Sequence, residues 1–186
     1  NALFDDLIEF ECIYFSGVTL SLFNKQEHDL IVLFLERYRS QGGLVIFDSN
    51  FRKQRWSDLK YASKLFKRIY SNVDIALPTL EDDLYLFSLT NAEELTEFLI
   101  STGVNEIVIK QGEAGCQVWG ENASSFIKSL SINNVIDTTG AGDSFNAGYL
   151  AARLSGDTQI KAAKEGHYFA GRVIQNRGAI IPRDNW

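Results

Sequence analysis

The chain has 186 residues, 45% of them hydrophobic, with a formal net charge of −6 and two cysteines. That supports one sizeable core, and the dispersed acidic balance speaks against a nucleic-acid or anionic-membrane partner. No apolar run reaches the length of a membrane span and no secretory pattern is present; Cys12 and Cys116 make neither a zinc site nor a disulfide framework, so a cytoplasmic protein with reduced thiols, both small buried hydrophobes, is expected.

In chain order, Asn1 opens inside helical-looking sequence, and Cys12–Phe15 reads as a strand ended by Ser16-Gly17. Lys25–Gln41 reads as a helix with apolar positions Leu30, Leu33, Phe34 and Tyr38, stopped by Gly42-Gly43. His28 on that stretch reads as an ordinary surface residue. A second strand, Leu44–Phe47, leads into the polar loop Asp48–Trp56, and Ser57 is placed to cap a helix running to about Tyr70. Val73–Leu77 is a third strand, broken by Pro78. Helices at about Leu80–Phe87 and Ala92–Ser101 follow, then the strand Glu106–Lys110. Cys116–Trp119 and Ser124–Ile127 suit a strand pair with a polar turn at Gly120–Ala123. Helices at about Gly142–Ser155 and Thr158–Asn176 close the chain. Alternating strands and helices joined by short loops predict an α/β fold, a mostly parallel sheet with helices on both faces. Ligands of such sheets bind outside the carboxyl ends of the strands, where every motif below falls.

Asp137-Thr138-Thr139-Gly140-Ala141-Gly142-Asp143-Ser144-Phe145 precedes and opens a helix. Small residues at 140–142 leave backbone N–H groups bare at the positive end of the helix dipole, which makes an anion site. Asp143 places a carboxylate beside it. A base next to an anion cradle is what phosphoryl transfer to a hydroxyl requires. On spacing alone the segment reads equally as a turn, with Asp143 complementing the dipole of its own helix. Lys110-Gln111-Gly112-Glu113-Ala114-Gly115 permits close approach of a phosphate or flat ligand, or is a plain hairpin turn. It is not a Walker A loop. In Asp48-Ser49-Asn50-Phe51-Arg52 the guanidinium suits a phosphate or carboxylate, or is a loop arginine at the surface. Thr79 is a candidate helix cap. His167 on a helix near the end of the chain reads as a satisfied histidine.

The string Asp137–Tyr149 resembles the C-terminal signature of the ribokinase-like (PfkB) carbohydrate kinases. The resemblance implies that Asp143 is the catalytic base and that Gly140, Ala141 and Gly142 form the anion hole. It implies ATP contacts from Asn50, Arg52, Lys110, Gly112, Gly115, Gly140, Gly142 and His167, with the adenine near His167. Arg52 and Asp143 would meet the acceptor. Mg2+ would associate with Asp82, where relatives carry Asn-x-x-Glu and this chain has Thr79-Leu80-Glu81-Asp82. Asp137 and Thr139 correspond to a monovalent-cation site of several relatives, which would take K+. Tyr14–Gly17, Asp48–Trp56 and Arg177–Pro182 are most similar to the family's 2-keto-3-deoxygluconate kinases, which implies a small-molecule sugar acid as acceptor. Fructokinase is the alternative, and a non-catalytic nucleotide-binding module the second. A dinucleotide site fits worse, since the third glycine of Gly-x-Gly-x-x-Gly is missing. The resemblance covers nearly the whole chain, from about Cys12 to Pro182, and implies that residues 1–186 are the C-terminal part of one kinase domain. With no methionine in the chain, a fragment lacking the N-terminal strands and the lid is expected. The sequence leaves a homo-oligomer open.

Overall fold

Strand β2 (Leu44–Asp48) is buried from Val45 to Asp48, and β4 (Glu106–Lys110) over all five residues. Successive strand side chains point to opposite faces, so burial without alternation means that both faces are covered. The computed structural model describes residues 2–120 and 123–182 and divides into two compact units, Asn1–Ile109 and Lys110–Trp186. In the first unit β1 (Cys12–Ser16), β2, β3 (Ile75–Ala76) and β4 pair in that order, all parallel, with Phe15 opposite Phe47, Phe47 opposite Ala76 and Ala76 opposite Ile107.

Helices α1 (Ala2–Leu7), α2 (Gly17–Leu20), α3 (Lys25–Ser40), α4 (Leu59–Tyr70), α5 (Leu80–Phe87) and α6 (Ala92–Thr102) belong to this unit. A capping box, Asn24 with Glu27, starts α3. Its buried stripe is His28, Val32, Phe34, Leu35 and Tyr38. Leu30 and Leu33, expected inside, are 44% and 59% exposed. His28, expected at the surface, is buried: Nε2 lies 2.8 Å from the Leu20 carbonyl and Nδ1 2.9 Å from the Tyr61 hydroxyl. The cap of α4 is Asp58, whose side chain accepts from Tyr61 N–H, rather than Ser57. Thr79 occupies the cap position of α5 without a side-chain cap bond. The third strand is shorter than predicted because only Ile75 and Ala76 find ladder partners, although Val73 and Leu77 are fully buried.

The second unit holds an antiparallel pair, β5 (Gly115–Gly120) and β6 (Ala123–Lys128), in register from Gly115 opposite Lys128 to Gly120 opposite Ala123. The predicted turn falls there, with Glu121 and Asn122 outside the described residues. Helices α7 (Ala141–Leu154) and α8 (Gln159–Val173) pack together. Gly148 faces Phe169 and Gly166 faces Phe145, so closely that a Cβ on either glycine would collide. Among the described residues no helix is long and apolar enough to cross a membrane. Cys116 is buried and Cys12 half-buried.

Candidate functional site

The second unit contains a cavity of about 900 Å³, within the range of small-ligand sites. Phe126 and Lys128 of β6 form one side, Leu130, Ile132 and Val135 another, and Phe145, His167 and Gly171 of α7 and α8 the third. Lys110, Ala141 and Gly142 stand at its polar end. A largely apolar lining that also carries Lys110, Lys128 and Glu113, beside a helix N-terminus, suits a flat ring that carries an anionic tail.

Two glycines shape the turn that follows β4. Gly112 has φ +57° in a single 3-10 turn, Gly112–Ala114. Gly115 has φ +129°, and a Cβ there would stand 2.1 Å from the Ile127 carbonyl oxygen. Gln111 N–H donates to Gly115 O at 2.9 Å and closes the turn. Gly115 is therefore required by the hairpin itself, and Gly112 by backbone conformation alone.

Gly140 is the N-cap of α7 in the left-handed conformation, φ +77°. The Ala141 N–H turns back to Thr138 O at 3.1 Å, so one of the three expected cradle donors is engaged within the turn. Gly142 faces the cavity; a Cβ on it would stand 3.9 Å from Lys110 Nζ. Asp143 follows in the first turn, exposed, beside rather than among the residues that line the cavity.

Asp137 braces this turn. One carboxylate oxygen accepts from Thr139 N–H and the other from Gly178 N–H, both at 2.9 Å. The Thr139 hydroxyl first, and then these two N–H bonds, hold its pKa down at about 2. The bracket brings the segment around Gly178 against the turn, where Ala179 lies over Gly140. His167 lines the cavity, edge-on to Phe145 with 5.0 Å between ring centroids, and its Nε2 donates to the Ile127 carbonyl at 3.3 Å. Burial keeps its pKa below the usual histidine value, although the carbonyl pulls the other way.

Within the first unit, the loop after β2 carries Asn50 and Arg52. Asn50 is a non-glycine residue at φ +30°, and its N–H donates to Asp48 Oδ1 at 3.0 Å. Arg52 Nη1 lies 3.6 Å from Asp82 Oδ2, which brings together two groups read separately from sequence. Next to Asp82, Asp83 is fully buried; it accepts from Ser49 Oγ at 2.5 Å and from Tyr70 OH at 2.7 Å. Burial pushes its carboxyl up to about 7, against the pull of those hydroxyls and with the help of Asp48 and Asp82. Among the described residues no group of three or more His, Cys, Asp or Glu is arranged to hold a metal.

Phe126, Lys128 and the Ser49–Tyr70–Asp83 contacts are additions to the sequence reading. The first two sit two residues apart on a strand and hence on one face, a signal that period-2 reading carries. The last three are distant in sequence and carry none.

The family model described as pfkB family carbohydrate kinase matches residues 2–186. The chain is 38% identical over 186 residues to the 2-dehydro-3-deoxygluconokinase of Escherichia coli (strain K12), covering 98% of this chain and 60% of that protein. It thus spans about three-fifths of the length of that curated relative. Two crystal structures share the fold. One is the aminoimidazole riboside kinase of Salmonella enterica complexed with aminoimidazole riboside and an ATP analog, with a TM-score of 0.79 and 22% identity over 91% of this chain and 58% of that one. The other is the fructokinase of Vibrio cholerae O395 in its fructose-, ADP- and calcium-bound form, with a TM-score of 0.79 and 22% identity over 90% and 56%.

Proposed function

The chain belongs to the pfkB family of carbohydrate kinases, and from that membership we propose that it is the nucleotide-binding and catalytic portion of one ribokinase-like kinase domain. The reaction is transfer of the γ-phosphoryl group of ATP to the terminal hydroxyl of 2-keto-3-deoxygluconate, giving the 6-phosphate and ADP. Asp143 carries this reading: an exposed carboxylate one residue beyond Gly142, at the edge of a cavity shaped for a flat ring with an anionic tail. The sugar acid is that of the Escherichia coli 2-dehydro-3-deoxygluconokinase to which the chain is similar.

In this reading the adenine lies between the apolar walls near His167. The phosphates point to Lys110, Gly112 and the N-terminus of α7. Asp143 accepts the proton of the acceptor hydroxyl as a bond forms from its oxygen to the γ-phosphorus, and the bond to the bridging oxygen of ADP breaks. Backbone N–H groups of Gly140 and Gly142 stabilise the charge on the moving group, the Ala141 N–H being held by Thr138 O. Asn50 and Arg52 are assigned to phosphate or to the acceptor carboxylate, and Gly115 shapes the turn. Asp82 would help to hold Mg2+ through water beside the ATP phosphates. That ion would neutralise phosphate charge. K+ would bind at Asp137 and Thr139, which are joined in the turn that precedes α7. The chain is assigned to the cytoplasm, where both thiols stay reduced.

The test is ADP release with Mg2+ and K+ present and 2-keto-3-deoxygluconate, fructose or ribose as acceptor. Turnover with the keto acid alone is expected once the chain is joined to the N-terminal region that such kinases carry. Turnover with fructose instead would replace the substrate assignment by fructokinase. No turnover by the chain alone would leave the kinase reading standing, and ATP binding without turnover by the extended chain would favour the nucleotide-binding module.

A further inference from the structure

The loop that leaves β2 must turn through Asn50 at φ +30°, a region that side-chain-bearing residues rarely adopt. Such a conformation persists only where surrounding contacts over-determine it. Three contacts do so. Asp48 Oδ1 accepts the Asn50 N–H within the loop. Gly17 lets the Ser49 carbonyl come so near that a Cβ on the glycine would stand 2.0 Å from it. The third reaches in from α5, where Asp83 Oδ2 accepts the Ser49 hydroxyl.

A carboxylate buried this deeply is costly unless it is hydrogen-bonded. Asp83 is 0% exposed, and its other oxygen takes the hydroxyl of Tyr70, the last residue of α4. Its neighbour Asp82 faces Arg52. Two consecutive carboxylates of one helix therefore hold two residues of one loop, Ser49 and Arg52, with Asn50 between them. The geometry points to Asp83 as a positioning residue that fixes Asn50 and Arg52 for ligand through Ser49. This rests on the reading that those two residues meet phosphate or acceptor.

The alternative is a polar cluster that only stabilises the fold. Ser49→Ala and Tyr70→Phe separate the two, because each removes one hydroxyl from Asp83, on the loop side and the α4 side respectively. The measurements are backbone hydrogen exchange over residues 48–56, the Kd for Mg-ATP and the thermal midpoint, each on the whole chain. Loss of the Ser49 bond is expected to speed exchange in the loop about tenfold or more and to weaken Mg-ATP severalfold. Tyr70→Phe is expected to lower the midpoint and leave loop exchange and Kd as in the wild type. Asp83→Asn keeps one acceptor oxygen and gains an amide donor, so it should restore loop order that Asp83→Ala loses. Equal loop exchange in Ser49→Ala and Tyr70→Phe, or no gain of Asp83→Asn over Asp83→Ala, would overturn the proposal. A loosened loop with unchanged Kd would overturn it too. A wild-type chain that does not bind Mg-ATP refutes the nucleotide reading instead, and the exchange comparison then decides for or against the anchor by itself.

Discussion

Gly140 and Gly142 stand two residues apart in the same small-residue run, yet the structure predicts opposite responses to a methyl group. At Gly140 the backbone is left-handed, φ +77°, and an added Cβ would lie 2.6 Å from the Ala179 Cβ and 2.9 Å from its Cα. The conformation alone costs an L-residue about 1–2 kcal/mol, and forced repacking of a tight contact about 1–3 more. Relief requires the segment at Ala179 to move, and Asp137 holds that segment by the Gly178 N–H. For a chain of this length the combined penalty lowers Tm by roughly 10 °C. At Gly142 the backbone is helical and the nearest atom to an added Cβ is Lys110 Nζ at 3.9 Å, an ordinary contact. Alanine there gains about 0.5–1 kcal/mol of helix propensity, so Tm should rise by about 2 °C. The same methyl intrudes on the polar end of the cavity and should weaken ATP. Scanning calorimetry with a nucleotide titration on each variant reads both effects. A Gly140→Ala protein as stable as the wild type, or a Gly142→Ala protein less stable than Gly140→Ala, would refute the reasoning.

Other expectations follow from single side chains. Asp143→Asn should abolish phosphoryl transfer while the Kd for ATP stays within about threefold, since the base acts in the transition state; collapse of both in a titration would remove it from that role. Arg52→Ala should leave Tm within about 2 °C, because a half-exposed ion pair at 3.6 Å contributes little to stability, while phosphate or acceptor binding drops about tenfold or more. His167 has its folded pKa lowered by burial. Its contribution is thus complete above the unfolded value of about 6.5 and is lost as the pH falls through the folded pKa. The stability gap between wild type and His167→Gln, from urea unfolding, should narrow from pH 7.5 to pH 5.5; a constant gap would contradict this. Burial pushes the Cys116 thiol up to about 12, so a thiol reagent at pH 8 should leave it untouched until the protein is denatured.

The elements most legible in the sequence were those in which local and tertiary signals agree. Leu80–Phe87 and Glu106–Lys110 have the predicted bounds, one set by proline and helix periodicity, the other by an unbroken apolar run. On α3 the agreement fails. Leu30 and Leu33 suggested a stripe that the fold turns outward, because His28, in step with Val32 and Leu35, finds the Leu20 carbonyl and the Tyr61 hydroxyl as buried partners. A polar residue with waiting partners is indistinguishable in sequence from one in water. Helix α2 was invisible for another reason: Ser16-Gly17 reads as a strand stop and is also the cap and first residue of a four-residue helix. At the candidate site, the string at Asp137–Phe145 announced the α7 turn, because its chemistry lies in backbone groups close in sequence. The brace from Asp137 to Gly178 spans 41 positions, and the grip of Asp83 on Ser49 spans 34. Such pairings exist only once the chain has folded.

In the first unit each strand lies beside the one made just before it, β1 through β4. No strand must wait for a later one to be inserted between it and its partner. A ribosome releasing the chain from its N-terminus can therefore extend the sheet by one strand at a time, each closing only the loop that contains its own crossover helices. Pairing with the preceding strand keeps each crossover near the shortest that a parallel sheet allows and shortens the time that any nascent strand edge is open to a neighbouring chain.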